Sequence, residues 1–246
     1  MAVIDLANPT RFLRFVERVL PWLALLTLLV FAIGLYRAVN APDDYQQGAT
    51  VKIMFLHVPA AWLGMLGWAL MSIAALGTLV WRHPLADVAG KAAAPIGAAF
   101  TLICLITGSL WGRPTWGTYW VWDARLTSVL VLFLLYLGVL ALYWTAEDPG
   151  RGARAAAVLT LVGAINLPII KFSVDWWNTL HQPASILRMG GSAIDSSILW
   201  PLLIMALAFT LLFFTLHLAA MRNEILRRRV RALRLMQAQQ FAEARP

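Results

Sequence analysis

The chain has 246 residues, 61% of them hydrophobic and only 13% charged, with a formal net charge of +8 and a mean hydropathy of +0.72. A soluble domain runs at roughly 45–50% apolar and about 25% charged, so the composition excludes a soluble globular fold, a disordered chain, and a collagen-like or disulfide scaffold. The one cysteine, Cys104, lies in the apolar run 101–107; it rules out an intramolecular disulfide, a CxxC redox pair and a CxxCH attachment site, and reads as a small core residue.

Uncharged windows cover residues 19–36, 53–81, 92–112, 126–146, 155–170 and 196–221. A helix crosses the hydrocarbon with about 17–25 apolar residues, which predicts six transmembrane helices in one all-α, polytopic membrane domain spanning 1–246. Ahead of the first window, residues 1–18 place Phe12, Leu13, Phe15 and Val16 among Arg11, Arg14 and Arg18. That pattern suits an interfacial amphipathic helix, and no cleavage site of signal-peptide type follows it. The second window exceeds one span, and Pro59 places the helix start near itself, leaving His57 in the preceding turn. In the short fifth window Pro168 is expected to kink or end the helix near the interface, where Lys171 can snorkel towards headgroups. The basic tail 222–246 continues the last span as a helix past the bilayer, its arginines near anionic lipid. Docking to a partner is the other reading of that tail, and nucleic acid is not needed to explain it.

Of the twenty Lys and Arg, fourteen fall on one side of this topology and six on the other. The positive-inside rule then puts both termini in the cytoplasm. Segments 37–58, 111–125 and 171–196 face outward. The middle one reads Trp111-Gly112-Arg113-Pro114-Thr115-Trp116-Gly117-Thr118-Tyr119-Trp120-Val121-Trp122-Asp123-Ala124-Arg125, which packs four of the twelve tryptophans into fifteen residues. An interfacial aromatic belt accounts for tryptophans alone. A platform for a flat aromatic ligand also accounts for Gly112 and Gly117, which permit close backbone approach, and for the stiffening Pro114. Asp123 and Arg125 read equally as interfacial charges or as a local ion pair, and Arg113 or Arg125 could meet a carboxylate.

Two histidines, His83 and His217, lie on the inner side and read as structural. His57 and His181 lie outside, flanking the tryptophan-rich segment, and as a pair suggest two axial imidazoles for a haem iron. Zinc is weaker, because two histidines fall short of three or four ligands. No GxSxG, HExxH or P-loop sequence occurs, so any ATP hydrolysis belongs to another subunit.

Residues 111–128 resemble the WWD signature of the haem-handling family of cytochrome c biogenesis. Within it, six spans and one histidine in each flanking outer segment are similar to the cytochrome c maturation protein C (CcmC) family. Asp44-Tyr45-Gln46-Gln47-Gly48, His57-Val58-Pro59-Ala60-Ala61 and Trp176-Trp177-Asn178-Thr179-Leu180-His181-Gln182 match that family's outer segments. Longer WWD relatives carry additional spans that this chain lacks. The resemblance covers nearly the whole chain and implies a multi-pass protein of the bacterial inner membrane, with its site on the periplasmic face. It implies non-covalent haem b with His57 and His181 as axial ligands. Trp111, Gly112, Trp116, Gly117, Tyr119, Trp120, Trp122, Asp123 and Arg125 would form the platform. Implied partners are the haem chaperone CcmE, the ABC transporter subunits CcmA and CcmB, and the small membrane protein CcmD. The expected role is a haem-presenting assembly factor more than an enzyme. Two other classes stay open: a bis-His electron-transfer cytochrome, whose ligands ordinarily sit inside the bundle, and a small-molecule transporter, which would need polar residues and broken helices near the midplane.

Overall fold

The computed structural model of the chain describes residues 7–183, 185–186 and 188–243, and within them it is entirely helical apart from loops and one isolated β-bridge between Asp44 and Gly48. Arg245 of the basic tail lies outside the described residues. The elements are α1 (Pro9–Val39), a 3-10 turn (Ala49–Ile53), α2 (Met54–Leu79), α3 (Pro84–Trp116), α4 (Ala124–Thr145), α5 (Pro149–Gly163), α6 (Asn166–Trp176) and α7 (Ser196–Glu243). Six stretches, with α5 and α6 together forming one, are long and apolar enough to cross a membrane.

Helix starts carry the chemistry that orphan N–H groups demand. Asn8 caps α1 through its side-chain oxygen, at 2.9 Å from the Thr10 N–H, ahead of Pro9. His83, Asp123 and Asp148 do the same for α3, α4 and α5. At the other end of α3, Gly117 closes the helix with φ +78°, a left-handed conformation that glycine adopts without a Cβ penalty.

Lipid tails are as apolar as leucine, so helices in a bilayer associate by close packing more than by the hydrophobic effect. One core cluster joins α1, α2, α3 and α7 through Ala38, Phe55, Leu63, Phe100, Leu202, Phe209 and Phe213. A second joins α2, α3, α4 and α5 around Trp68, Met71, Leu132, Tyr136 and Val139. The Trp68 indole, fully buried, donates to the Thr160 carbonyl at 3.1 Å and meets the Tyr136 ring edge-on with centroids 4.7 Å apart. A third cluster buries Phe12, Leu13 and Val16 of α1 against Leu85, Val88, Met221 and Ile225. The apolar stripe of the N-terminal segment thus faces α3 and α7, and α1 runs unbroken into the first span.

Three boundaries differ from the sequence reading, each for a physical reason. α2 begins at Met54, where the 3-10 turn feeds directly into it, so His57 sits in its opening turn and not ahead of it. α3 continues to Trp116, so the first six of the fifteen residues of the tryptophan-rich segment are helical and only Gly117–Asp123 is irregular. The break in the fifth span falls at Ala164–Ile165, between α5 and α6. Pro168 removes the hydrogen bond to residue 164 and its ring clashes with that carbonyl, so its effect appears one turn upstream. Pro168 itself lies in the first turn of α6, which carries the chain past Lys171 to Trp176. Asn166, buried at the break, donates to the Ser128 carbonyl of α4 at 2.8 Å and ties the break to the bundle.

Candidate functional site

His57 lies in the opening turn of α2, with Gly108 on the facing turn of α3. A Cβ at Gly108 would lie 2.9 Å from the His57 ring, so the absence of a side chain there is what admits the imidazole between the helices. The ring is then fixed: its Nδ1 lies 3.1 Å from the Cys104 carbonyl and 3.0 Å from the Thr107 hydroxyl oxygen. A carbonyl only accepts, so Nδ1 carries the proton and donates, and the lone pair resides on Nε2. The Trp111 indole packs edge-on against this imidazole with centroids 5.7 Å apart, and its N–H donates to the Gln47 side-chain oxygen at 2.8 Å.

His181 comes from the loop between α6 and α7. Its Nδ1 lies 3.1 Å from the Gln182 carbonyl, which again assigns the proton to Nδ1 and leaves Nε2 free. The Trp116 ring tilts against it at 6.3 Å. Burial, joined by the positive charge of Arg125, outweighs the Gln182 hydrogen bond and the Asp123 carboxylate, so His181 titrates below the ordinary histidine value. It is therefore neutral at pH 7. Among the described residues no hydrogen bond engages Nε2 of either histidine.

Both histidines line one cleft, which encloses about 1030 Å³ with the open space at its mouth included. Its lining is mostly apolar, and it reaches down past Met65 to Leu132 and Ile170. Of the residues expected from the sequence, His57, Trp111, Gly112, Trp116, Trp120, Arg125 and His181 line it, and Gly117, Tyr119, Trp122 and Asp123 do not.

The excluded residues have other work. Asp123 caps α4, accepting from the Leu126 N–H at 2.8 Å. Gly117 ends α3. Tyr119 lies beneath the Arg113 guanidinium, 5.7 Å from its ring centroid, and Arg113 also donates to the Gly117 carbonyl. Arg113 is thus committed outside the cleft. Arg125 is the arginine that lines it, with Nε donating to the Ser173 hydroxyl at 2.6 Å and one terminal nitrogen to the Lys171 carbonyl at 3.4 Å. Trp122, 77% exposed, buttresses the half-buried Trp120 edge-on at 5.5 Å. The Trp120 indole N–H is buried without a hydrogen-bond partner, a donor left for whatever enters.

Thr101, Cys104, Gly108 and Thr115 of α3, with Gln47 and Gln182, also line the cleft, and the sequence reading does not single them out as site residues. A signal for them exists: 101, 104, 108, 112 and 115 recur at spacings of three and four, one face of a helix that runs on into the tryptophan-rich segment. His83 and His217 sit elsewhere, the first as a helix cap and the second buried and stacked on Phe213. Since His57 is on a helix, only His181 separates this site from that of a bundle-ligated cytochrome.

Residues 2–236 match the family described as CcmC, heme exporter protein C. The chain is 76% identical over 242 residues to heme exporter protein C of Bradyrhizobium diazoefficiens, covering 98% of this chain and 92% of that one. It is 48% identical over 223 residues to the Escherichia coli K12 protein of the same name, covering 90% of each. To that of Paracoccus denitrificans it is 44% identical over 234 residues, covering 95% and 97%.

Proposed function

The chain belongs to the heme exporter protein C (CcmC) family, and from that premise we propose that it holds haem as cargo in the cleft between His57 and His181 and presents it for transfer to the haem chaperone CcmE. The observation that carries the reading is the pair of imidazoles on separate elements, each locked as the Nδ1–H tautomer, with both Nε2 lone pairs free in one tryptophan-lined cleft. Two neutral imidazoles are the donor set of a low-spin, non-covalent b-type haem. Haem handling in c-type cytochrome biogenesis is the family's role. The ligand assignment, the delivery to CcmE, and assembly with CcmA, CcmB and CcmD are parts of the proposal.

The residues divide the task between them. Cys104 and Thr107 orient His57, and Gln182 orients His181, as metal-bound histidines are ordinarily held from behind. Trp111, Trp116 and Trp120 offer ring faces and edges to a planar ligand, while Gly112 keeps the wall low. Arg125, with Nε and one terminal nitrogen engaged, presents its remaining N–H groups to a carboxylate. The rest of the proposal is positional: an inner-membrane protein with the cleft on the periplasmic face, where a chaperone could approach an exposed edge of the cargo.

Titration of the full-length protein in nanodiscs with haem tests this reading. One equivalent should bind, with a low-spin spectrum, and Gly108→Leu should weaken it by roughly 10-fold to 100-fold, because the added side chain evicts the His57 ring at a cost of about 1–3 kcal/mol. Equal binding by Gly108→Leu would contradict the proposed site. The sign of the pH dependence is also set. Protonation competes with ligation, and His181 protonates below its ordinary value near ~6.5, so the fall in affinity on acidification should set in below that value. A loss of about twofold already at about pH 6.5 would show His181 unshifted.

A further inference from the structure

Helix α7 runs 48 residues, Ser196–Glu243, about 72 Å at 1.5 Å per residue, against roughly 40–45 Å for a bilayer with its headgroups. Ile225 is its last buried residue, and each described side chain from Leu226 onward is exposed. The last cross-helix bonds are made by Arg228 and Arg229, so about 21 Å of helix, from Val230 onward, extends beyond the bundle.

This extension is held as a rod. No Gly or Pro occurs between Leu202 and Glu243, and sharp kinks need one of these or an inserted bulge. Its root is clamped on two other helices. Buried Glu224 accepts from Lys91 of α3 at 2.9 Å, and from Arg228 at 2.9 Å and Arg227 at 3.1 Å. Arg228 also pairs with Asp87 of α3, and Arg229 donates to the Thr10 hydroxyl of α1 at 2.7 Å. A helix continuing the axis of a membrane span projects from the membrane and does not lie in the headgroup plane.

The rod carries a seam. Leu226, Val230, Leu233, Gln237 and Phe241 follow one another at steps of four, three, four and four, which puts them on one face of the helix; the first four keep the four-three-four register of paired helices. Leu233 is 56% and Phe241 75% exposed. The positions flanking this seam carry Arg227 and Arg229, each with one bond at the root, and the exposed Arg234 further out. We propose that the projecting part of α7 docks an acidic amphipathic helix of a partner protein, apolar residues closing on the seam and Asp or Glu meeting the flanking arginines. Flanking residues choose partners in paired helices, and a second copy of this chain would set arginine against arginine.

The test uses the full-length protein in zwitterionic nanodiscs and a labelled four-heptad probe helix with Leu along its seam and Glu at its flanks. Saturable binding is expected, at least tenfold weaker with the same probe carrying Lys flanks. It should also be at least tenfold weaker with the Val230→Asp/Leu233→Asp variant, and severalfold weaker with Arg234→Glu. Unchanged helicity and an unchanged haem titration show that these variants are folded. No saturable binding, or equal binding of Glu and Lys probes, overturns the proposal. So does burial of a label at position 237 in anionic vesicles, which would make the tail a membrane anchor, and so does self-association abolished by Val230→Asp/Leu233→Asp, which would make the occupant a second copy.

Discussion

Gly97→Ala is expected to be among the most destabilising single-methyl changes in the molecule. A Cβ at Gly97 would overlap the hydroxyl and ring of Tyr136, which is fully buried and donates to the Gly64 carbonyl at 2.8 Å. Gly67 stands opposite, where a Cβ would lie 3.2 Å from the Gly97 Cα and 2.7 Å from the same hydroxyl. Here α2 and α3 close around a tyrosine from α4, and neither backbone can retreat without opening the core. Overpacking costs about 1–3 kcal/mol, and stranding the Tyr136 hydroxyl and its acceptor adds about 1–3 kcal/mol. A total of roughly 2–6 kcal/mol follows, visible as a large drop in thermal stability in detergent. Tyr136→Phe removes part of the overlap, so the double variant should lose less than the sum of the singles. Gly90→Ala is the control: its Cβ would meet nothing nearer than 3.5 Å, and alanine favours helix, so stability should hold or rise. Similar losses in Gly97→Ala and Gly90→Ala would place the effect in helix propensity and not in packing.

The second large effect concerns the two histidines. Removing an outer-sphere partner of a metal ligand costs about 10-fold to 100-fold in affinity, and removing the ligand itself should cost at least as much. His57→Ala and His181→Ala are each expected to weaken haem binding by about two orders of magnitude or more, with helicity and thermal stability close to the parent. The losses should not be identical in character. His57 is fixed by two hydrogen bonds between packed helices, so its removal leaves a shaped hole; His181 rides on a loop with one bond to its own neighbour, so its removal leaves a more open face. Added imidazole should therefore restore the His57→Ala site at lower concentration. Full binding by either variant alone would remove that histidine from the ligand set.

Much of this is legible from the residues, and the misreadings have a common origin. Gaps between charges measure where a chain can be stripped of water, so they locate the six spans. They do not measure where a hydrogen-bonded helix ends, because helices run through the interface into polar surroundings. That is why α2 starts at Met54 ahead of Pro59, and why α3 continues to Trp116. His57, His181, Trp111, Trp116, Trp120 and Arg125 stand out by chemical type and converge on one cleft. Tyr119 and Trp122 share that chemistry but fall on the far side of the turn closed by Gly117, and composition carries no information about which side a loop residue faces. Gln47, Cys104 and Gly108 are harder to read for the opposite reason: helical spacing marks 104 and 108 as one face, but what a glutamine, a backbone carbonyl and a missing side chain do there is settled only once two helices are side by side.

The measurement that bears most directly on the haem assignment is the optical and electron paramagnetic resonance spectrum of the purified, haem-loaded protein beside His57→Ala and His181→Ala, each with and without imidazole. The account predicts a low-spin bis-imidazole signal in the parent, its loss in each variant, and its return when imidazole is added. A low-spin signal that survives unchanged in both variants would contradict it, and the tryptophan-lined cleft would then hold something ligated, or recognised, in another way.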